Sequence, residues 1–377
     1  MYKITATYNS VRKIIHGRVD PNARIKGGRL TEQEDTIPIF SFTIYPNNPG
    51  FNMMVEMLTD IVVYDRKADE IIFSGRVYSI SNIMTDSGVV YKQVTCEGDL
   101  ATLCDTWQPP RTYTSQPTPL TTVINDLITT HNGKVDSSRQ VQIGSVNGGM
   151  PPYEGEYIST FDMLKQMCEI SDADFLIRRV NGAKVLRCLP HDSMVTTSDT
   201  EIVLGKNLRS LQQTVEAKDI VTRFTPLGAV NPANGNRLSI TQIQQYPYIR
   251  NNRSIQLESI YGVVEAVKIY DIAPSDWTSG AAINDAAYIL FRAGEKDYNK
   301  LTASLTSFSV KALNLSLING DYDSLKIFTK YRVRNRLQGI DEELELTGRV
   351  LDLDEPQNPT LTFGQKQTTL TGLLAGK

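Results

Sequence analysis

Few residues in this chain have the types and spacing that chemistry needs. The three histidines, His16, His131 and His191, stand far apart and each sits beside a turn or loop, the pattern of surface residues. Cys188 and His191 are close in sequence, but a thiolate nucleophile needs its base and an orienting partner in one cleft. Here Cys188 lies within a patterned strand and Pro190 separates the two. Asp352, Asp354 and Glu355 cluster at a strand end, yet a calcium site wants more oxygen ligands from a defined loop. Asp341-Glu342-Glu343 reads as solvated turn charge. Arg332, Arg334 and Arg336 alternate, which places them on one face of a strand. Such a row is either a solvated face, or a charged subunit interface or channel wall that meets phosphate. The metalloprotease, nucleophile-elbow, phosphate-loop and dinucleotide motifs are missing. No catalytic residue, cofactor or metal is expected, and the three arginines are the only candidate site residues.

Composition narrows the class further. At 377 residues the chain can hold several domains, and 39 basic against 42 acidic residues leave no field to draw it to nucleic acid or membrane. It has no long apolar run and no signal-peptide pattern, so it is expected to be made soluble in a cytoplasm, without stable membrane insertion. Cys96, Cys104, Cys168 and Cys188 lack metal-type pairing and read as buried reduced thiols.

The elements that position these residues are mostly strands. Asp60 to Asn82 is a hairpin: Ile61-Val62-Val63-Tyr64, a polar turn at Arg66 to Asp69, then Ile71-Ile72-Phe73. Gly75 inside its second strand marks a bulge or a barrel corner. The layout returns at Tyr331 to Leu353, and both second strands carry Gly-Arg-Val, at 75–77 and 348–350. Two related β modules are the expectation. Phe40, Phe42 and Ile44 share one face of a strand stopped by Asn47 to Gly50. Thr118 and Pro119 open a helix ended by Asn132-Gly133, and Ser159 with Asp162 caps a second. Asn181-Gly182 joins two apolar runs into a hairpin. Strands at 202–205 and 219–224 are expected to return to the first β domain, and a helix is expected over 283–300.

The expected architecture is a β-rich, multidomain α+β chain: two related β-barrel modules with smaller α+β domains inserted between them. Residues 1–105 with 201–230 form the first barrel, 106–200 an α+β insertion, 231–300 a mixed connecting domain and 301–377 the second barrel.

The order of the pieces carries a resemblance. Phe40 to Pro49 precedes the hairpin ending Ile72 to Val77, then come Val94 to Gly98 with Leu100 and Leu103, the Phe161 to Leu164 helix, Phe175 and Asn181-Gly182. This resembles the tail-associated, tail-tip hub protein of siphophages, the prophage tail endopeptidase-like family, related to the baseplate hub proteins of contractile-tailed phages. The resemblance implies a trimeric virion structural protein that docks on the distal tail protein ring, closes the tail tube and gates DNA exit. It implies contact with the tape measure protein and with receptor-binding or baseplate proteins, transient passage of genome DNA, and residence at the virion tail tip after assembly in the bacterial cytoplasm. Cell-wall cleavage belongs to a C-terminal extension in larger relatives, while this chain ends at Lys377, so no catalytic residue transfers. The alternatives are a peptidoglycan hydrolase or peptidase of the tail tip, and a carbohydrate-binding module, for which Trp107 and Trp277 are the only tryptophans.

Overall fold

The computed structural model describes residues 2–113, 118–150, 153–215, 220–303, 306–319 and 322–364. The leftover segment 369–377 lies outside the described residues. Two compact units make up the chain: Met1–Leu211 with Ser309–Phe363, and a second built on Gln212–Phe308.

The first unit is dominated by one long sheet. Its N-terminal strands are β1 (Tyr2–Tyr8), β2 (Val11–His16), β3 (Lys26–Gln33), β4 (Ile39–Ile44), β5 (Asp60–Asp65), β6 (Glu70–Met84) and β7 (Val90–Gly98). They pair antiparallel in the order β2-β1-β5-β6-β7-β4-β3. Strict alternation builds the core: in β4 Phe40, Phe42 and Ile44 point inward, and in β5 Ile61 and Val63 do the same. The Phe40 ring packs on Phe42 and Phe73 at 5.4 and 5.5 Å, with Ile4 and Val94 in the same cluster. The β5–β6 hairpin expected from composition is present, with Asp65 opposite Glu70.

The free edge of β3 joins the two ends of the chain. Gly348–Asp352 pairs with β3 antiparallel, and the strand that carries it, Ile340–Asp352, also pairs with Thr329–Asn335 and Thr360–Phe363. Both expected hairpins therefore belong to one continuous curled sheet. Their Gly-Arg-Val triplets are alike in one further respect. Arg76 lies opposite Glu97 of β7 and bonds it at 2.7 Å, while Arg349 lies opposite Glu32 of β3 and bonds that carboxylate. Gly75 faces Gly98, which lets the β6 and β7 backbones close up; the register shift comes beyond it, between Val77 and Ser79.

A smaller α+β body belongs to the same unit. Helices α1 (Leu120–Asn132) and α2 (Thr160–Ser171) pack on a three-stranded sheet of Val141–Val146, Ala183–Pro190 and Ala173–Val180. Leu120, Ile124, Leu127, Leu164, Met167, Phe175 and Leu186 fill the core. Ser159 caps α2 by accepting from the Asp162 amide at 3.0 Å, and Asn181-Gly182 turns the hairpin with φ of 50° and 85°. Thr118 pairs in a short bridge with Met150, and α1 starts at Leu120 with Pro119 at its N-cap position.

In the second unit, Arg223–Val230 is the middle strand of three, between Arg237–Ser239 and Glu265–Ile269. The strand expected to begin at 219 is this one and pairs within the second unit, while Ile202–Val203 pairs parallel with Thr329–Asn335, a strand of the expected second barrel; among the described residues neither pairs with residues 1–105 as expected. Local sequence defines a strand, but its partner is set by packing. The helix Gly280–Ala303 covers the sheet with Ala287, Leu290, Tyr298 and Leu301 over Phe224. The helix Asn252–Tyr261 is capped reciprocally by Asn251 and Ser254.

Candidate interface residues and buried charge clusters

The alternation of Arg332 and Arg334 holds. Both project from Thr329–Asn335 while Tyr331 and Val333 point into the core. Arg336 falls past the strand end, exposed in the turn that leads to Ile340. Arg332 Nε bonds Asp341 Oδ1 at 2.8 Å, and Arg334 reaches Asp341 at 3.2 Å and Glu201 Oε1 at 3.1 Å. These side chains are one-third or more exposed, so solvent screens each pair strongly. Little stability depends on this row.

Far stronger charge pairing ties the α+β body to the long sheet. Arg179, on Ala173–Val180, forks over two carboxylates: Nη1 and Nη2 to Asp60 at 2.7 and 2.5 Å, and Nε and Nη2 to Asp99 at 2.8 and 2.9 Å. Lys184 Nζ stands 3.7 Å from Asp99, whose side chain is 3% exposed. Burial by itself raises the Asp99 carboxyl, but Arg179, Lys184 and a hydroxyl bond from Ser74 outweigh it and hold the group below the usual range. Beside it, Arg76 bridges Glu97 and Asp105, and Asp105 also meets Arg139 at 3.4 Å.

A second cluster surrounds His191. Its Nδ1 is 2.6 Å from Asp174 and its Nε2 3.1 Å from Glu345, a residue of the long sheet. Glu34 is 5% exposed nearby, and Asp35 accepts the Phe175 amide at 3.2 Å. Bonds from Asp174 and Glu345 push the imidazole up to about 10. Burial, then the charges of Glu345 and Asp174, push the Glu34 carboxyl up to about 9. Glu34 Oε1 and Glu345 Oε1 are buried without a partner when both groups only accept, and a proton held on Glu34 resolves that conflict.

The two shifts have the same sign. Each group binds its proton more tightly in the folded chain than in the unfolded one, where His191 titrates near 6.5 and Glu34 near 4.5. Stability from His191 is complete below pH 6.5 and lost as pH rises through 10; that from Glu34 is lost between 4.5 and 9. The melting temperature of the first unit is therefore expected to fall steadily from pH 6.5 to 9. Glu34→Gln should flatten the slope, and a melting temperature that climbs over this range would contradict the assignment.

This arrangement does not activate a nucleophile. Both ring nitrogens of His191 face carboxylates, which leaves neither for a hydroxyl or thiol. Cys188 points away into the α+β core, its sulfur 3.2 Å from that of Cys168. Cys96 is buried as expected, but Cys104 is exposed. His131 is not a surface residue: it is 0% exposed and bonds Thr106 Oγ1 at 2.7 Å. Its helical phase, one turn beyond Leu127 and Ile128, was the signal that a turn-adjacent position hid. Asp352 and Asp354 brace backbone amides, of Asp354 and Gly27. Among the described residues no group of three or more His, Cys, Asp or Glu is arranged to hold a metal, and no helix is long and apolar enough to cross a membrane.

Comparison with known proteins places this geometry. Residues 196–374 match the family described as prophage endopeptidase tail. A tail protein of Neisseria meningitidis shares the fold with a TM-score of 0.64 and 10% identity, over 99% of each chain. The 43 kDa tail protein of prophage MuSo2 from Shewanella oneidensis gives 0.62 and 12%, over 96% of this chain and 97% of the other. Prophage tail protein gp18 of Listeria monocytogenes gives 0.58 and 11%, over 99% and 97%. No curated protein matches. The chain thus has the β-rich fold of prophage tail proteins from end to end. Its C-terminal half carries the sequence pattern of the prophage endopeptidase tail family, in line with the resemblance read from the sequence.

Proposed function

We propose that this protein is a structural component of a phage or prophage tail: a trimeric hub at the tail tip that docks on the distal tail ring and gates DNA exit. The observation that carries the reading is coverage. Proteins named as tail proteins share the fold over 96–99% of this chain and 97–99% of their own. Near-balanced charge supports the same reading, because a strongly basic wall would hold passing DNA by its phosphates. In this scheme the first β strands face the tail, the segment 106–200 lies outermost, and Arg332, Arg334 and Arg336 belong to a subunit contact or the channel wall. Tape measure, receptor-binding and baseplate proteins are its further neighbours, and the virion tail its location.

Light scattering on the purified chain and electron-microscopy class averages test the assembly directly. A threefold particle that binds the distal tail ring is expected. A monomer at high concentration that fails to bind the ring would count against the hub. Neutralising the arginine row separates assembly from folding. Arg332→Gln with Arg334→Gln, which sets no new carboxylate opposite Glu343 and Asp341, should move the melting temperature by only about 1–2 °C, since exposed pairs contribute so little. Trimer or ring affinity should fall about tenfold or more. Unchanged assembly would remove these residues from the interface.

The family description also includes the word endopeptidase, which favours a cell-wall-cleaving reading. Zymography on Gram-positive walls decides between them: clearing by the purified chain favours the enzyme, and no clearing favours the structural role.

A further inference from the structure

The α+β body exposes two aromatic rings that its core does not need. Trp107 and Tyr157 are 50% and 59% exposed, and they stack with centroids 5.7 Å apart and planes at 22°. They border a cleft of about 360 Å³ whose polar wall holds Asp105, Lys134, Asp136 and Arg139. That volume lies at the lower end of the roughly 300–1,000 Å³ range of small-molecule sites, and the cleft opens widely to solvent.

The cleft is held from behind. Trp107 and Gln108 pair with Ser159 and Ile158. Gln108 is fully buried and donates to the Leu127 carbonyl at 3.0 Å and to Thr160 Oγ1 at 2.8 Å. Thr106 Oγ1 meets both Thr160 Oγ1 at 2.8 Å and His131 Nδ1 at 2.7 Å. His131 Nε2 is 3.3 Å from the carbonyl of Arg139, a cleft residue, and Lys134 Nζ donates to the Trp107 carbonyl. The aromatic strand and the charged wall are therefore fastened to one buried histidine. A satisfied polar network of this kind fixes geometry at the expense of apolar packing, as a preformed site requires.

The chemistry of the wall selects the ligand. Two cations stand against two carboxylates, and Asp105 is already engaged by Arg76 and Arg139. Balanced donors and acceptors match hydroxyl groups, which do both, and give no advantage to a phosphate or an ammonium. The stacked rings supply a flat apolar face for C–H bonds. We propose that this cleft binds a neutral carbohydrate, one pyranose ring lying on the Trp107–Tyr157 slab with its hydroxyls on Asp136, Arg139 and Lys134. The assignment is independent of the assembly reading.

The test uses the full chain and a panel of glucose, galactose, mannose, rhamnose, N-acetylglucosamine and chitotriose. Saturation-transfer NMR and tryptophan fluorescence should report binding of at least one sugar. Trp107→Ala should weaken it about tenfold or more, Trp107→Phe should retain part, and Trp277→Phe, in the second unit, should leave it unchanged. Melting curves of the variants show whether the fold persists, as the exposure of Trp107 leads one to expect. Silence across the panel, binding that survives Trp107→Ala, or displacement by inorganic phosphate overturns the proposal. So does a Trp107→Ala variant whose defect is in binding a tail protein.

Discussion

Arg179→Ala is expected to destabilise the first unit by about 3–5 kcal/mol, because it leaves two carboxylates of a buried pair without their cation. Asp99 is the decisive partner. Its side chain is 3% exposed, and once Arg179 is gone Lys184 at 3.7 Å and Ser74 remain beside it. Asp60 is 33% exposed and will recover part of its hydration. The melting temperature should drop by roughly 5–10 °C. Arg179→Lys should fall between, since a single ammonium cannot reproduce four forked bonds. The double variant Arg179→Met with Asp99→Asn should be milder than Arg179→Ala, because no buried charge is stranded. A melting temperature within a degree of the parent would show that solvent screens the pair.

Gly75→Ala and Gly348→Ala should behave oppositely although both residues open a Gly-Arg-Val triplet. A Cβ on Gly75 would sit 2.0 Å from the Glu97 carbonyl oxygen and 2.8 Å from the Gly98 Cα, both backbone atoms of β7. Neither can step aside without opening the β6–β7 ladder, so a loss of about 3 kcal/mol or more is expected. A Cβ on Gly348 would meet Thr362 Cβ at 3.4 Å and the Glu32 oxygen at 3.5 Å, ordinary contacts, and should cost under about 1 kcal/mol. Chemical denaturation of the two variants side by side reads the difference. Equal losses would mean that the close approach of β6 and β7 relaxes freely.

Much of the local structure was legible because its causes are local. Period-2 alternation located β4, a β-branched run located β5, the Ser159–Asp162 spacing located the start of α2, and Asn181-Gly182 located a turn whose two residues both adopt positive φ. Where two structures share one local chemistry, the sequence was ambiguous. An Asn-Asn pair such as Asn251-Asn252 suits a turn as well as a helix start, and here Asn251 caps a helix with Ser254, since an asparagine side chain bonding a nearby amide serves both. Of the candidate site, the alternation of Arg332 and Arg334 was readable, while the aromatic cleft was not. Trp107 and Tyr157 are fifty positions apart, and only the pairing of 107–108 with 158–159 stacks them.

The sequence by itself determined β4 and β5, the start of α2, the Asn181-Gly182 turn and the near-neutral charge, because each follows from residues within one or two turns of chain or from composition alone. Tertiary structure alone decided which strand lies beside which. The pairing of Gly348–Asp352 with β3 spans more than three hundred residues and merges two hairpins into one sheet. The same long-range packing carries Arg179 to Asp60 and Asp99, Glu345 to His191, and His131 from a helix end into the core. Burial then turns ordinary charges into strong pairs, since only the assembled fold removes the water that would otherwise screen them.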